Sequence, residues 1–179
     1  MFMNKNKLIK VVALGTAAVL LTFSGVLVSC LMNNKAKEEP VQNLAYTLSA
    51  DKTYYIVSGI GESKDPTLVI PAEYKELPVK EVEERAFEDC DLLRSVKVGK
   101  NITKIGKEAF KDCDNLAKVS FEKRIENIDD YAFQATALTD VVIPSGVNNM
   151  GVGVFYECAG LKSIVVEEDN TTYKSIDGN

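Results

Sequence analysis

The sequence predicts an α/β repeat fold: a short, β-rich solenoid of stacked parallel strands with short helical turns, entered through an N-terminal β-hairpin cap. Three observations predict it. First, Phe87, Phe110, Phe133 and Phe155 lie 23, 23 and 22 residues apart, and the apolar residues around them recur in one register. A fixed period of 20–50 residues is the signature of a stacked-repeat architecture and overrides piecemeal assignments. Second, each copy carries a short alternating apolar stretch such as Leu93-x-x-Val96-x-Val98, the pattern of a half-buried strand. Third, two β-branched and aromatic runs, Tyr46–Ser49 and Thr53–Ile60, flank a polar Ala-Asp-Lys turn, which is a hairpin signal.

The chain has 179 residues and divides, on composition, into five segments. In residues 1–29, Lys5, Lys7 and Lys10 precede an uncharged run from Val11 to Ser29, the layout of a secretory signal. A run of that length is also long enough to span a bilayer as a permanent helix. It ends in Leu27-Val28-Ser29-Cys30, which resembles the lipobox of bacterial lipoproteins. That resemblance implies cleavage before Cys30 and lipidation of Cys30, so that the chain is held at a membrane by its acyl chains. Residues 30–45 are polar, charged and proline-containing, as a flexible tether is. Residues 46–78 read as an N-terminal cap over the first rung, since an open solenoid end exposes apolar side chains and unpaired backbone. Leu68-Val69-Ile70-Pro71 within it repeats the ending of Val141-Val142-Ile143-Pro144, which makes Ile70 part of a degenerate first rung.

Residues 79–169 hold four copies of about 23 residues, and 170–179 read as a truncated connector. In the second copy Ile105, Ala109, Phe110 and Cys113 fall at helical spacing, enough for one or two turns. The third copy is one residue short between Phe133 and Leu138, and the fourth reads Met150-Gly151-Val152-Gly153-Val154 in place of I-G-x-x-A, whose glycines suggest a looser last rung. Cys90, Cys113 and Cys158 share one repeat position, with Thr136 nearest to it in the third copy. They read as small apolar core residues; a Cys90–Cys113 disulfide is the alternative, since neighbouring rungs lie about 4.8 Å apart. No copy stands alone, because ordering it costs at least what its own apolar side chains return. Stacking supplies the missing cover.

The run I-x-x-I-G-x-x-A-F-x-x-C-x-x-L-x-x-V, read from Ile102 to Val119, resembles the BspA-type leucine-rich repeats of bacterial surface proteins, and 125–144 supplies the I-P ending. The likeness runs over roughly 46–179, including Asp169–Gly178, which resembles a connector into further repeats. It implies a leucine-rich-repeat solenoid at the cell envelope, surface-exposed and membrane-anchored, that mediates protein–protein binding or adhesion and is not an enzyme. A host matrix or cell-surface protein is the partner it implies.

Chemistry argues the same way. There is no histidine, which removes the commonest general base and metal ligand. Outside residues 1–29 the chain carries 18 basic against 26 acidic side chains, or −8, which argues against nucleic acid as partner. Acids such as Glu81, Glu88, Asp129 and Glu167 fall at outward, variable positions and read as solvated charge, with a weak calcium-type grouping at Glu167–Asn170 as a minor alternative. No catalytic residue, metal ligand or cofactor site is expected. The binding candidates are the outward positions of the repeated strand: Ser95 and Lys97, Lys118 and Ser120, Asp140 and Val142, Ser163 and Val165. Stacked, they form two columns grading from basic to apolar, the kind of extended face with which repeat proteins bind partners. The alternative function is a structural or self-associating spacer of a larger surface protein, docking another copy through its C-terminal edge.

Overall fold

The computed structural model describes residues 43–175; the predicted signal peptide, Cys30, the tether up to residue 42 and connector residues 176–179 lie outside the described residues. Twelve strands occur among the described residues. β1 (Ala45–Leu48) and β2 (Tyr55–Gly59) pair as an antiparallel hairpin. β2 then pairs in parallel with β5 (Leu77–Val82), and the ladder continues in parallel through β7 (Lys104–Ile105), β9 (Asn127–Ile128) and β11 (Asn149–Met150). The short β4 (Glu73–Tyr74) folds antiparallel onto β5. A second set is built from the alternating stretches: β3 (Thr67–Val69), β6 (Ser95–Lys97) and β8 (Lys118–Ser120) form one parallel ladder, β10 (Asp140–Ile143) and β12 (Ser163–Val166) another.

That second ladder was expected to run unbroken along the stack. It is interrupted between β8 and β10, where the third copy is one residue short. The other copies close this corner with a turn bond from Leu93, Leu116 or Leu161 N–H to the carbonyl of Cys90, Cys113 or Cys158. In the third copy the Thr136 hydroxyl instead donates to the Phe133 carbonyl at 3.1 Å, and β10 enters without a ladder to β8.

Inward residues of both strand sets join one core. Val57, Val82, Ile105 and Ile128 form one fully covered column, and Leu93, Leu116 and Leu138 another. Phe87, Phe110 and Phe133 stack at centroid separations of 5.0 and 5.1 Å with rings within 6° of parallel. Cys90, Cys113 and Cys158 are free thiols, so the disulfide alternative is not realised. The Cys113 thiol donates to the Phe87 carbonyl at 3.0 Å, and burial pushes its pKa up to about 12, so it stays protonated and inert.

The helical turns expected at Gly106–Cys113 and its counterparts are not helices; no helix occurs among the described residues. Alternate residues of the stretch do two different things. Ala86 and Glu88 N–H close tight turns onto the Glu83 and Arg85 carbonyls, while Arg85, Phe87 and Asp89 N–H donate across to Lys107, Ala109 and Lys111 of the next rung. A helix spends its N–H groups internally; here every second one leaves for the neighbour. The geometry requires two left-handed residues per copy: Arg85, Glu108, Tyr131 and Gly153 in one column (φ 55–62°), Asp89, Asp112, Ala135 and Glu157 in the other (φ 52–59°). Each such non-glycine residue costs about 1–2 kcal/mol. Three inter-rung hydrogen bonds at ~0.5–1.5 kcal/mol each, with the phenylalanine they hold in the core, offset it. The glycines of the fourth copy are therefore not slack. A Cβ on Gly153 would lie 2.6 Å from the Tyr131 ring, and one on Gly151 would lie 2.3 Å from the Asp130 amide. They let the last rung close onto the third.

Candidate functional site

Strand alternation decides which side chains the second strand set offers to solvent. In β6 and β8 the central Val96 and Val119 turn inward, so Ser95, Lys97, Lys118 and Ser120 turn outward. Register then sets their neighbours. Ser95 pairs with Lys118 and Lys97 with Ser120, a checkerboard of two ammonium groups and two hydroxyls. Beyond the break, Asp140 pairs with Ser163 and Val142 with Val165. Val142 is 52% and Val165 48% exposed, adjacent apolar groups on an outward face. The eight residues expected to face outward lie on these strands, four on either side of the break.

The face has relief. An open groove of about 420 Å³ crosses the interrupted ladder, lined by Ser95, Lys97, Lys118, Ser120 and Asp140. Thr67 and Thr139 also line it and were not anticipated. The signal for Thr67 was present, because the Leu68–Pro71 ending marks an earlier rung whose strand β3 pairs Thr67 with Ser95. The Ser95 hydroxyl donates to Thr67 Oγ1 at 3.3 Å. The Ser163 hydroxyl donates to Asp140 Oδ1 at 2.8 Å; that bond, with a second from Thr139 and the nearby charge of Lys162, holds the Asp140 carboxyl below its usual range. Asp140 therefore stays ionised in mildly acid conditions.

Some charges are paired from rung to rung. Along the turn column Arg85 pairs with Glu108, and Lys111 with Glu88 and Asp112; on the first strand set Lys104 pairs with Asp129. Glu81 accepts the Tyr54 hydroxyl at 2.6 Å. Several acids expected to be merely solvated thus tie one rung to the next. By contrast, among the described residues neither Lys97 nor Lys118 makes an ion pair. The same holds among the described residues for Lys80 on the first strand set and for Arg94, Lys100 and Lys123.

The calcium-type grouping at Glu167–Asn170 dissolves on inspection of its donors. The Asn170 amide nitrogen donates to the Pro144 and Val147 carbonyls, both at 2.9 Å, and its oxygen accepts the Thr172 and Tyr173 N–H groups. Glu167 accepts the Ser145 N–H at 2.9 Å, which keeps its carboxyl low. Among the described residues no group of three or more acidic, cysteine or histidine side chains is placed to hold a metal. Asn170 instead fixes a C-terminal stretch in which the Tyr173 hydroxyl accepts from Met150 N–H and the Ser175 hydroxyl from Val166 N–H, both N–H groups lying on the last rung.

Comparison with known proteins agrees with this geometry. The family model described as "BspA type Leucine rich repeat region (6 copies)" matches residues 70–176. The chain is similar to the crystal structure of a T. pallidum leucine-rich-repeat protein, with 28% identity and a TM-score of 0.58 over 72% of this chain and 71% of that one. It is also similar to a leucine-rich-repeat protein from Bacteroides capillosus, with 23% identity and a TM-score of 0.62 over 71% of this chain and 96% of that one. With the pneumococcal vaccine antigen PcpA it shares 24% identity and a TM-score of 0.56 over 63% of this chain, spanning 33% of that one. The latter two likenesses are of fold. No curated protein sequence matches. The repeat, its register and the family match converge: this chain belongs to the BspA-type leucine-rich-repeat family.

Proposed function

We propose that this protein is a lipid-anchored surface protein of bacteria whose solenoid binds other proteins, in an adhesive role, through the outward face of β6, β8, β10 and β12. The observation that carries this reading is the outward strand face itself. Lys97 and Lys118 lie diagonally across the β6–β8 ladder beside an open groove, and neither has an acidic partner among the described residues. A partner meeting this face encounters cations at one end and the apolar pair Val142 and Val165 at the other. Charged groups at such a face contribute mainly to encounter rate and specificity, and desolvated apolar groups to residence.

Two measurements test the reading. The purified protein is offered a panel of extracellular-matrix, serum and cell-surface proteins. Saturable binding is expected that weakens with salt and falls at least tenfold in the Lys97→Glu/Lys118→Glu variant. Silence across the panel from folded protein, or binding indifferent to the charge reversal, would contradict it. Anchoring is supported by the positively charged leader and the Leu27–Cys30 motif. Cys30→Ser is expected to abolish incorporation of labelled palmitate and to release the protein from the membrane fraction; labelling of the variant at the normal level would rule the lipid site out.

A further inference from the structure

One junction in the middle of the stack is bonded on two of its sides and released on the third. Between the second and third copies the first ladder is continuous: Lys104 pairs with Asn127 and Ile105 with Ile128, and Asp129 N–H donates to the Ile105 carbonyl at 3.0 Å. The turn column is continuous as well. Glu108, Phe110 and Asp112 N–H donate to the Asp130, Ala132 and Gln134 carbonyls at 2.9, 2.8 and 3.0 Å. On the outward face the same two copies meet at the break between β8 and β10, and bonds are missing at both of its ends. Arg94, Ala117 and Lys162 N–H each donate to the preceding rung, at the Pro66, Arg94 and Thr139 carbonyls; the equivalent Thr139 N–H has no backbone acceptor among the described residues. Ile70 and Val98 N–H each donate to the following rung, at the Lys97 and Ser120 carbonyls; the equivalent Phe121 N–H has none among the described residues.

Solvent reaches the core at this break. Val119 is half-buried, although its counterparts Val96 and Val141 are 2% and 1% exposed. Phe121 is half-buried too, where Ile70, Val98 and Ile143 are covered. Its ring lies edge-on to Phe133 with centroids 5.8 Å apart, and it is bulkier than the valine or isoleucine of the other copies. A short third copy and an oversized inward residue thus coincide at one junction. The open groove of about 420 Å³ crosses the same place, lined by Ala117 and Val119, with Lys118 on one side of the break and Asp140 on the other.

We infer that this junction is a hinge built into the outward face. The block carrying β3, β6 and β8 and the block carrying β10 and β12 turn against each other about the continuous β7–β9 ladder. The groove between Lys118 and Asp140 widens and narrows as they do. A fold opens where its buried contacts and hydrogen bonds are fewest, and a hinge needs a fixed line opposite the opening. Both conditions are met here. Between the first and second copies they are not, because β5–β7, β6–β8 and the turn bonds from Arg85, Phe87 and Asp89 close all three sides. The hinge adds to the sheet-face reading that a partner spanning the break sets the width of the groove, and in that respect it rests on that reading. The motion itself belongs to the free chain and is tested there, so either can fail without the other.

The test uses the unliganded full chain with labelled valine and isoleucine methyl groups, observed by relaxation-dispersion NMR. Exchange on the microsecond-to-millisecond scale is expected at Val119 and Val141, which flank the break. Ile105 and Ile128, on the continuous ladder of the same two copies, should be quiet. Two variants then bear on the cause. One residue inserted between Ala137 and Leu138 restores the spacing of the other copies; it should cut the exchange at Val119 and Val141 at least threefold and slow Thr139 amide exchange at least tenfold. Ser120→Cys/Val142→Cys places exposed thiols across the break and leaves the core untouched. Mild oxidation should join them, since the groove narrows, and the joined form should also lose at least threefold of the methyl exchange. No dispersion at Val119 and Val141 overturns the inference. Equal dispersion at Ile105 and Ile128 overturns it as well, because the whole rung then moves. So does a thiol pair that never joins, or a joined form that exchanges as the wild type does.

Discussion

Phe110→Ala is expected to lower the thermal unfolding midpoint by more than 10 °C. Phe110 has no solvent exposure and is an inner ring of a four-ring stack, 5.0 Å from Phe87 and 5.1 Å from Phe133, with Phe155 a further 5.9 Å beyond Phe133. Truncating a buried phenylalanine costs about 3–5 kcal/mol, part from lost transfer and part from the cavity. Here the cavity has little means of collapse. The backbone on either side is pinned, because Phe110 N–H donates to Ala132 and the Ala109 carbonyl accepts from Phe87. In a domain of this size each kcal/mol moves the midpoint by roughly 3–5 °C. Rungs of a solenoid contact only their neighbours, so amide protection should fall first in the first three copies. A shift of only one or two degrees, measured by calorimetry, would mean that the phenylalanine column does not hold the stack.

Asn170→Asp is expected to be the next most damaging single change, although it alters almost no volume. Asn170 is buried, and its amide nitrogen supplies both donors that satisfy the Pro144 and Val147 carbonyls. Aspartate keeps the acceptor for Thr172 and Tyr173 N–H but turns a carboxylate oxygen toward two carbonyls. Leaving a buried polar group unsatisfied costs about 1–3 kcal/mol. With two such groups, a loss of ~2–4 kcal/mol is expected. The damage should begin locally: residues 167–175 come away, and Met150 and Val166 N–H lose their Tyr173 and Ser175 acceptors. Amide exchange at Met150 and Val166 should accelerate before global stability falls. Wild-type unfolding together with unchanged exchange at those two amides would refute this role.

The fold was legible because one physical requirement, covering each rung with the next, writes itself into the chain every 22 or 23 residues. Phe87, Phe110 and Phe133 declare the core column, and the alternation around Val96, Val119 and Val141 declares the outward positions within each of the two ladders, though not the break between them. The turn stretch was misread for an equally physical reason. Ile105, Ala109, Phe110 and Cys113 point inward from consecutive tight turns, and that spacing coincides with a helix face. Left-handed backbone distinguishes the two, yet Arg85, Glu108 and Tyr131 occupy those positions without any local propensity to announce it. Only Gly153 betrays the conformation, and it reads just as readily as looseness. The missing residue between Phe133 and Leu138 was visible in the sequence, but its consequence, an interrupted ladder beneath the groove, depends on hydrogen bonds between distant strands. Asn170 was hidden because a loop asparagine looks the same whether its amide faces water or two buried carbonyls.

The central claim is that the outward side chains of β6, β8, β10 and β12 form the binding face. The most direct test is amide hydrogen exchange of the protein with and without a bound protein partner, read residue by residue. Protection is predicted to rise across Ser95–Lys97, Lys118–Ser120, Asp140–Val142 and Ser163–Val165 together, while the turn column at Arg85–Asp89 and Glu108–Asp112 is unchanged. Protection confined to that turn column, or to the β1–β2 hairpin, would contradict the account and move the binding face to the other side of the stack.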